Sequence, residues 1–367
     1  MSPIDVCFLT VSSILFGIYL IFIVSLIAYQ NTAPLRSGFF TLTLFLGIFD
    51  VLQMVHVYAF LRFPSFGWMT DYYLRMPPHL VHYGSCAMWA LAVNQHLAVV
   101  FIAINRLSAI VYPHDHKRRW RKPVRRALAA FLCASGPLYV LPKVIHESNE
   151  HYVVLDKRTR SSTLVWDDQD LLLRYKYISC ITLIVASIVC LFCYGSIFYT
   201  SFQRHMTTAK RRMTPPSRNT RGSITPGSLI RKKTSRTSYN GPSRMKSSTS
   251  SIRSIAKQVT VGAQSRSTQI VYLWEKRELK LAVCGFVVFF FMFLYTVGVL
   301  NMTVDESARS QHSHRSIWLA SSDIFSGINP LLLIAVSKSL RTRFLSILCC
   351  SWCDRIQYQN PSSSSWL

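Results

Sequence analysis

Acid is scarce in this chain: sixteen Asp and Glu stand against 41 Lys and Arg in 367 residues, a net charge of +25. It also has no internal repeat of 20 to 50 residues, which excludes a solenoid and a duplicated transporter. No metal-ligand spacing, no nucleophile with a placed base and no phosphate-cradling glycine loop occurs, so the sequence offers no catalytic constellation and no cofactor site. What it has instead is hydrophobic residues, half of the total, gathered in long blocks rather than in the short amphipathic runs of a globular core.

Seven blocks, at about 7–29, 39–61, 80–104, 125–145, 177–199, 279–300 and 317–336, are each near the ~20 residues an α-helix needs to cross a ~30 Å hydrocarbon layer. Within lipid the backbone has no water to bond, so such blocks are helices or barrel strands, and barrel strands are half as long and alternate. The expected fold is an all-α membrane protein, a seven-helix bundle within residues 1–345. No Lys or Arg precedes the first block, and it exceeds the ~7 to 15 apolar residues of a signal peptide, so it reads as a retained helix.

The surplus of base is uneven. Alternate connections carry Arg36, then Lys117 to Arg126, then eighteen Lys and Arg between Arg204 and Lys280, then Lys338, Arg341, Arg343 and Arg355. The other connections are balanced, Asp156, Asp167, Asp168 and Asp170 offsetting Lys157, Arg158, Arg160 and Arg174. Short basic loops stay cytoplasmic, so the amino terminus is expected outside and the carboxyl terminus inside, with membrane lipid and not nucleic acid as the partner of the charge. No cysteine lies well inside an expected outer loop, which argues against a disulfide framework. Those within the spans, Cys133, Cys180, Cys190, Cys193 and Cys284, read as small core residues.

Residues 203–277, rich in Ser, Thr, Arg, Pro and Gly, cannot bury enough apolar surface to offset ordering and read as a disordered third cytoplasmic loop. Its hydroxyls after basic runs, as in RKKTS, suit kinases, and a phosphorylated loop suits arrestin. Trp274 to Lys280 reads as a helix entering the sixth span, with Glu275 and Glu278 the only acids among those bases. In the tail, 338–367, Leu340, Phe344, Ile347 and Leu348 share a helical face with Arg341 and Arg343 turned away, the pattern of an interfacial eighth helix. Cys349, Cys350 and Cys353 at its end are palmitoylation candidates or free cytosolic thiols. Asn301 opens an N-M-T glycosylation triplet whose closeness to the sixth span argues against use.

The third block closes with AINRLSAIVYP, residues 103–113, and HKRRW follows. By position alone Arg106 is a snorkelling anchor. Asn105, Pro113 and Trp120 around it resemble the D/E-R-Y region of rhodopsin-like G-protein-coupled receptors, and more narrowly the nematode serpentine chemoreceptors of the gamma and V classes. The seventh block adds Asn329-Pro330, where that family has N-P-x-x-Y. The resemblance implies a plasma-membrane receptor that passes ligand binding to a heterotrimeric G protein, with Asn105, Arg106, Asp50, Asn329 and Pro330 in activation. It also implies that Asp50 contacts Asn329 and holds a sodium ion; by its chemistry alone Asp50 is equally a neutral, hydrogen-bonded carboxyl.

The sequence departs from the wider family too. Asn105 replaces the acid beside the arginine, so the partner of Arg106 is open; Leu333 replaces the tyrosine; the sixth block lacks the usual Trp and Pro; and 146–174 has no cysteine. Those losses argue against a hormone or amine receptor. In the outer half, Tyr83, Met88, Trp89, Ala92, Phe291, Tyr295, Trp318 and Asp323 are ligand candidates, an apolar and aromatic set suited to a small organic molecule. A peptide receptor of the same fold, a receptor-like protein that no longer signals, and a ligand-gated channel or transporter are the alternatives; the last predicts rings of charge, and Asp50 and Asp323 are the only intramembrane acids.

Overall fold

The computed structural model describes residues 3–32, 35, 37–146, 151–156, 161–166, 169–213, 278–300 and 308–348. Eight principal helices are α1 (Pro3–Tyr29), α2 (Gly38–Val57), α3 (Pro78–Val111), α4 (Lys122–His146), α5 (Gln169–Met213), α6 (Glu278–Leu300), α7 (Ala308–Val336) and α8 (Lys338–Leu348). Among the described residues, seven of them, α1 to α7, are long and apolar enough to cross a membrane. They coincide with the seven hydrophobic blocks but run past them: α3 continues from the expected 104 to Val111, because a helix need not stop where hydrocarbon stops. The chain is therefore a multi-pass membrane protein. It divides into one unit of residues 1–200 and 278–367 and a second of 201–277.

Proline sets several helix ends. Pro78 stands in the first turn of α3, where its missing N–H has no helical partner to lose. Tyr112, just before Pro113, leaves helical geometry at φ −123° and ψ 61°, ending α3, and Pro113 opens a short helix, Pro113–Arg119. At its outer end α2 does not simply stop. It widens into one π-helical turn, Tyr58–Arg62, before a last α-turn at Phe63–Ser65. A short helix, Thr70–Leu74, follows.

The connection between α4 and α5 holds two strands that the sequence reading did not anticipate. β1 (His151–Asp156) and β2 (Ser161–Trp166) pair antiparallel from His151 with Trp166 to Asp156 with Ser161. Their signal was present in the β-branched residues of YVVL and STLVW. The hairpin leaves the membrane-spanning part entirely helical.

α3 is the axis of the bundle, buried along most of its length between α2 and α4. Around it Tyr19, Leu46, Ala98, Leu132, Tyr194, Met292 and Leu333 from all seven spanning helices form one continuous apolar core. The outward faces are apolar as well: Ile178, Ile181, Ile184, Ile188 and Leu191 form an exposed stripe along α5, the surface of a helix whose solvent is lipid. Cys180, Cys190, Cys193 and Cys284 are buried, whereas Cys133, expected in the core, is exposed.

α8 is seated against α1. Leu340 and Phe344 are buried, Tyr29 Oη lies 3.3 Å from Ser346 Oγ, and the Arg343 guanidinium sits 4.4 Å from the centre of the Tyr29 ring. Two details depart from the sequence expectation: Arg343 turns onto that ring instead of away, and Leu348 is exposed, since a 3.6-residue period carries it off the buried face.

α4 comes close to α3 at Gly136. A Cβ there would stand 2.5 Å from the Ala90 carbonyl oxygen and 2.7 Å from Asn94 Oδ1, while Ser135 Oγ donates to Asn94 Oδ1 at 3.0 Å. Because the obstacle is backbone, α4 must move as a whole to make room. Gly136→Ala should destabilise the chain by about 1–3 kcal/mol, read as a lower unfolding temperature in detergent; an unchanged temperature would refute the close approach.

Candidate functional site

Each polar side chain buried on α3 in so apolar a setting must find a partner. Four levels can be followed along it.

At the inner end Arg106, 3% exposed, is ion-paired with Glu278, the first residue of α6. It also meets the Asn105 side-chain oxygen at 3.3 Å and the Phe39 ring on α2, whose centre lies 3.8 Å from the guanidinium carbon. The partner left open by the loss of the neighbouring acid is thus an acid 172 positions away. Both side chains are under a tenth exposed, so water screens the pair little.

One turn further in, the connection to α4 folds back. Trp120 Nε1 donates to Ser108 Oγ at 2.8 Å, and the hydroxyl donates to the Asn105 carbonyl at 2.8 Å. With the hydroxyl proton so used, His116 Nδ1, 3.0 Å from Ser108 Oγ, carries the proton and donates it. Gly38 makes space for this arrangement: a Cβ there would meet Trp120 at 3.2 Å and Asn105 Nδ2 at 3.3 Å. Burial holds the His116 imidazole below its ordinary value; the Arg106 charge pushes the same way and Glu278 opposes.

At mid-membrane, Asp50 on α2 accepts from Gln95 Nε2 on α3 at 2.7 Å through one oxygen and from the Tyr19 hydroxyl of α1 through the other. Gln95 Nε2 is also 3.3 Å from Ser326 Oγ, and Asn329 Nδ2 donates to Tyr19 Oη at 3.4 Å, so four helices meet here. Asn329 thus reaches Asp50 only through Tyr19. Proline at 330 frees the carbonyl four residues earlier, that of Ser326, in the same cluster. These residues do not fit a sodium ion. A cation needs oxygen acceptors turned toward it beside the carboxylate, and here an N–H and an O–H already point at both carboxylate oxygens.

Beside Gln95, His96 faces the other way, with ring centres 5.6 Å from Tyr295 of α6 and 5.7 Å from Phe325 of α7. Its Nδ1 bonds the Ala92 carbonyl, which only accepts, so Nδ1 carries the proton and buried Nε2, with no partner, is a bare acceptor.

At the outer end, Asp323 of α7 receives Arg62 Nη2 at 2.5 Å, Ser12 Oγ at 3.3 Å and Tyr58 Oη at 3.4 Å, joining α7 to α1 and α2. Of the ligand candidates, the structure draws Tyr295 into the interior beside His96 and Asp323 into this ion pair, and leaves Met88, Trp89, Ala92 and Phe291 half-buried. Tyr83 is exposed, its hydroxyl 3.4 Å from His56 Nε2. The side chain of Trp318, Asn301, Glu275, and Cys349, Cys350 and Cys353 lie outside the described residues.

Sequence reasoning missed Tyr19, Arg62, Gln95, His96 and the pairing of Glu278. A polar residue in an apolar block was the signal for Gln95 and His96. Nothing local distinguishes Tyr19 from any aromatic of a spanning helix.

Seven spanning helices, with an arginine ion-paired near the carboxyl end of the third, define a seven-helix membrane bundle. The sequence profile described as serpentine type 7TM GPCR chemoreceptor Srv matches residues 8–350, and the chain belongs to that family. Serpentine receptor class V-1 of Caenorhabditis elegans is 30% identical over 113 residues, 31% of this chain and 36% of that relative, so the match spans about a third of the relative's length.

Two outcomes follow from the geometry. Unfolding temperatures of the purified chain should be equal in sodium chloride and choline chloride, and Gln95→Ser, which removes the amide, should make sodium stabilising; a sodium-dependent wild type would contradict the donor assignment. The folded chain disfavours a second proton on His116, so stability present at neutral pH is lost as pH falls through about 6.5. Wild type should therefore lose more thermal stability on acidification than His116→Gln, and parallel losses would remove the linkage.

Proposed function

We propose that the protein is a chemosensory G-protein-coupled receptor of the plasma membrane, with its amino terminus outside and its carboxyl terminus in the cytoplasm. A small organic molecule binds in the outer half, and the bound bundle favours an arrangement in which α3 and α6 part at the inner end. Arg106, freed from Glu278, then meets a heterotrimeric G protein together with the basic loops. The ligand acts only through its better fit to the open arrangement, as a population shift.

The observation that carries this reading is the buried Arg106 and Glu278 pair. It joins two spanning helices at the face a cytoplasmic partner would approach. Removing one member of such a pair leaves an uncompensated buried charge at a cost of about 3–5 kcal/mol, which falls on the closed arrangement. Membership in a chemoreceptor family supports the sensory role and gives no ground for an enzyme. Asp50 and Asp323 are each bonded to donors of neighbouring helices, which does not favour the channel reading. Residues 203–277 would serve kinases and arrestin, and acyl chains at Cys349, Cys350 and Cys353 would hold the tail to lipid.

In membranes carrying the full chain and a G protein, Glu278→Gln should raise ligand-independent nucleotide exchange several-fold, and Arg106→Ala should abolish exchange. Unchanged basal exchange in Glu278→Gln at equal surface expression would defeat the proposal.

A further inference from the structure

The outer ion pair is built unlike a mere tie between helices. Arg62 is 5% exposed, yet among the described residues Nη2 alone of its donors has a hydrogen-bond acceptor, Asp323, and the buried Nε has none. The guanidinium lies 5.5 Å from the rings of Phe8 and Tyr58, which receive its charge but not its N–H groups. Asp323, for its part, takes Arg62, Tyr58 and Ser12 all on one oxygen, Oδ2. An arginine presents Nε and an Nη as a fork matched to the two oxygens of a carboxylate. Asp323 engages a single tine of it.

The π-helical turn explains why the arginine stands here. Tyr58–Arg62 carries an i to i+5 pattern, so the residues beyond it are rotated relative to a straight α2. Both the aromatic and the cationic residue of the cluster, Tyr58 and Arg62, lie in that turn. Arg62 stands three residues before Ser65, where the last turn of α2 ends.

We infer that Arg62 is the anchor for an organic carboxylate ligand, which takes the Nε and Nη2 edge together and displaces Asp323. This rests on the reading of the outer half as a small-molecule site and names the chemical class that site receives. Two parallel charge-assisted bonds replace one, while Asp323 keeps the hydroxyls of Ser12 and Tyr58. No covalent bond changes. The direct charge link between α2 and α7 is exchanged for hydroxyl contacts, and α7 is the helix whose Ser326 and Asn329 enter the Asp50 cluster below. Occupancy at the mouth thereby loosens the helix that reaches the polar core.

Benzoate and benzyl alcohol, nearly equal in size and different in charge, are suitable probes on the purified full chain, with sodium chloride matching ionic strength. Benzoate should raise the unfolding temperature and benzyl alcohol should not. Asp323→Asn removes the internal competitor, so the half-saturating benzoate concentration should fall about tenfold, whereas Arg62→Gln should abolish the effect. Should Arg62→Gln fail to fold, Arg62→Lys keeps the charge without the fork and should lose the preference for benzoate over benzyl alcohol. Equal shifts with both probes, no benzoate shift, or an Asp323→Asn response matching wild type would each overturn the inference. The receptor reading stands or falls separately, on basal exchange in Glu278→Gln, which uses no ligand.

Discussion

A charge inside a bilayer-spanning bundle has to be answered from within the bundle, and this single requirement organises the molecule. Arg106 at the foot of α3 has nothing acidic next to it in sequence, so its countercharge comes from α6 and ties the ends of those two helices together. The same requirement recurs at each level. Asp50 is answered by an amide and a phenol, Arg62 by Asp323, and the Ser108 hydroxyl by a backbone carbonyl and an indole. Apolar packing fills the space between the helices but cannot choose their pairing, because lipid tails are as apolar as leucine. The polar contacts choose it.

What the sequence disclosed and what it withheld divide along physical lines. The seven spans are legible because lipid imposes their length and composition directly on consecutive residues. Their ends are less so, since nothing obliges α3 to stop at the hydrocarbon boundary, and it runs to Val111. Arg106, Asp50 and Asn329 announce themselves through local pattern. The answer to each lies on another helix: Glu278 is 172 residues from Arg106 and Tyr19 is 31 from Asp50, and no spacing rule connects them. Arg62 is hidden for a different reason. A periodicity of 3.6 is assumed when faces are assigned, and the π-helical turn breaks it where that arginine stands.

The family's departures look different once the contacts are known. An asparagine at 105 still touches Arg106, and the hydroxyl that Leu333 lacks on α7 has a counterpart in Tyr19 on α1, bonded to both Asp50 and Asn329. Gln95 brings its own N–H to the central carboxylate, so the cluster is complete within the chain. The polar core is thus redistributed among helices rather than lost.

The seat of α8 bears on how the tail can be controlled. Its hold on α1 is through Leu340, Phe344, and the pairing of Tyr29 with Arg343 and Ser346. An element clasped by protein does not depend on a fatty anchor to remain docked. Lys338, Arg341 and Arg343 are therefore carried at a fixed place beside α1 by contacts within the protein itself.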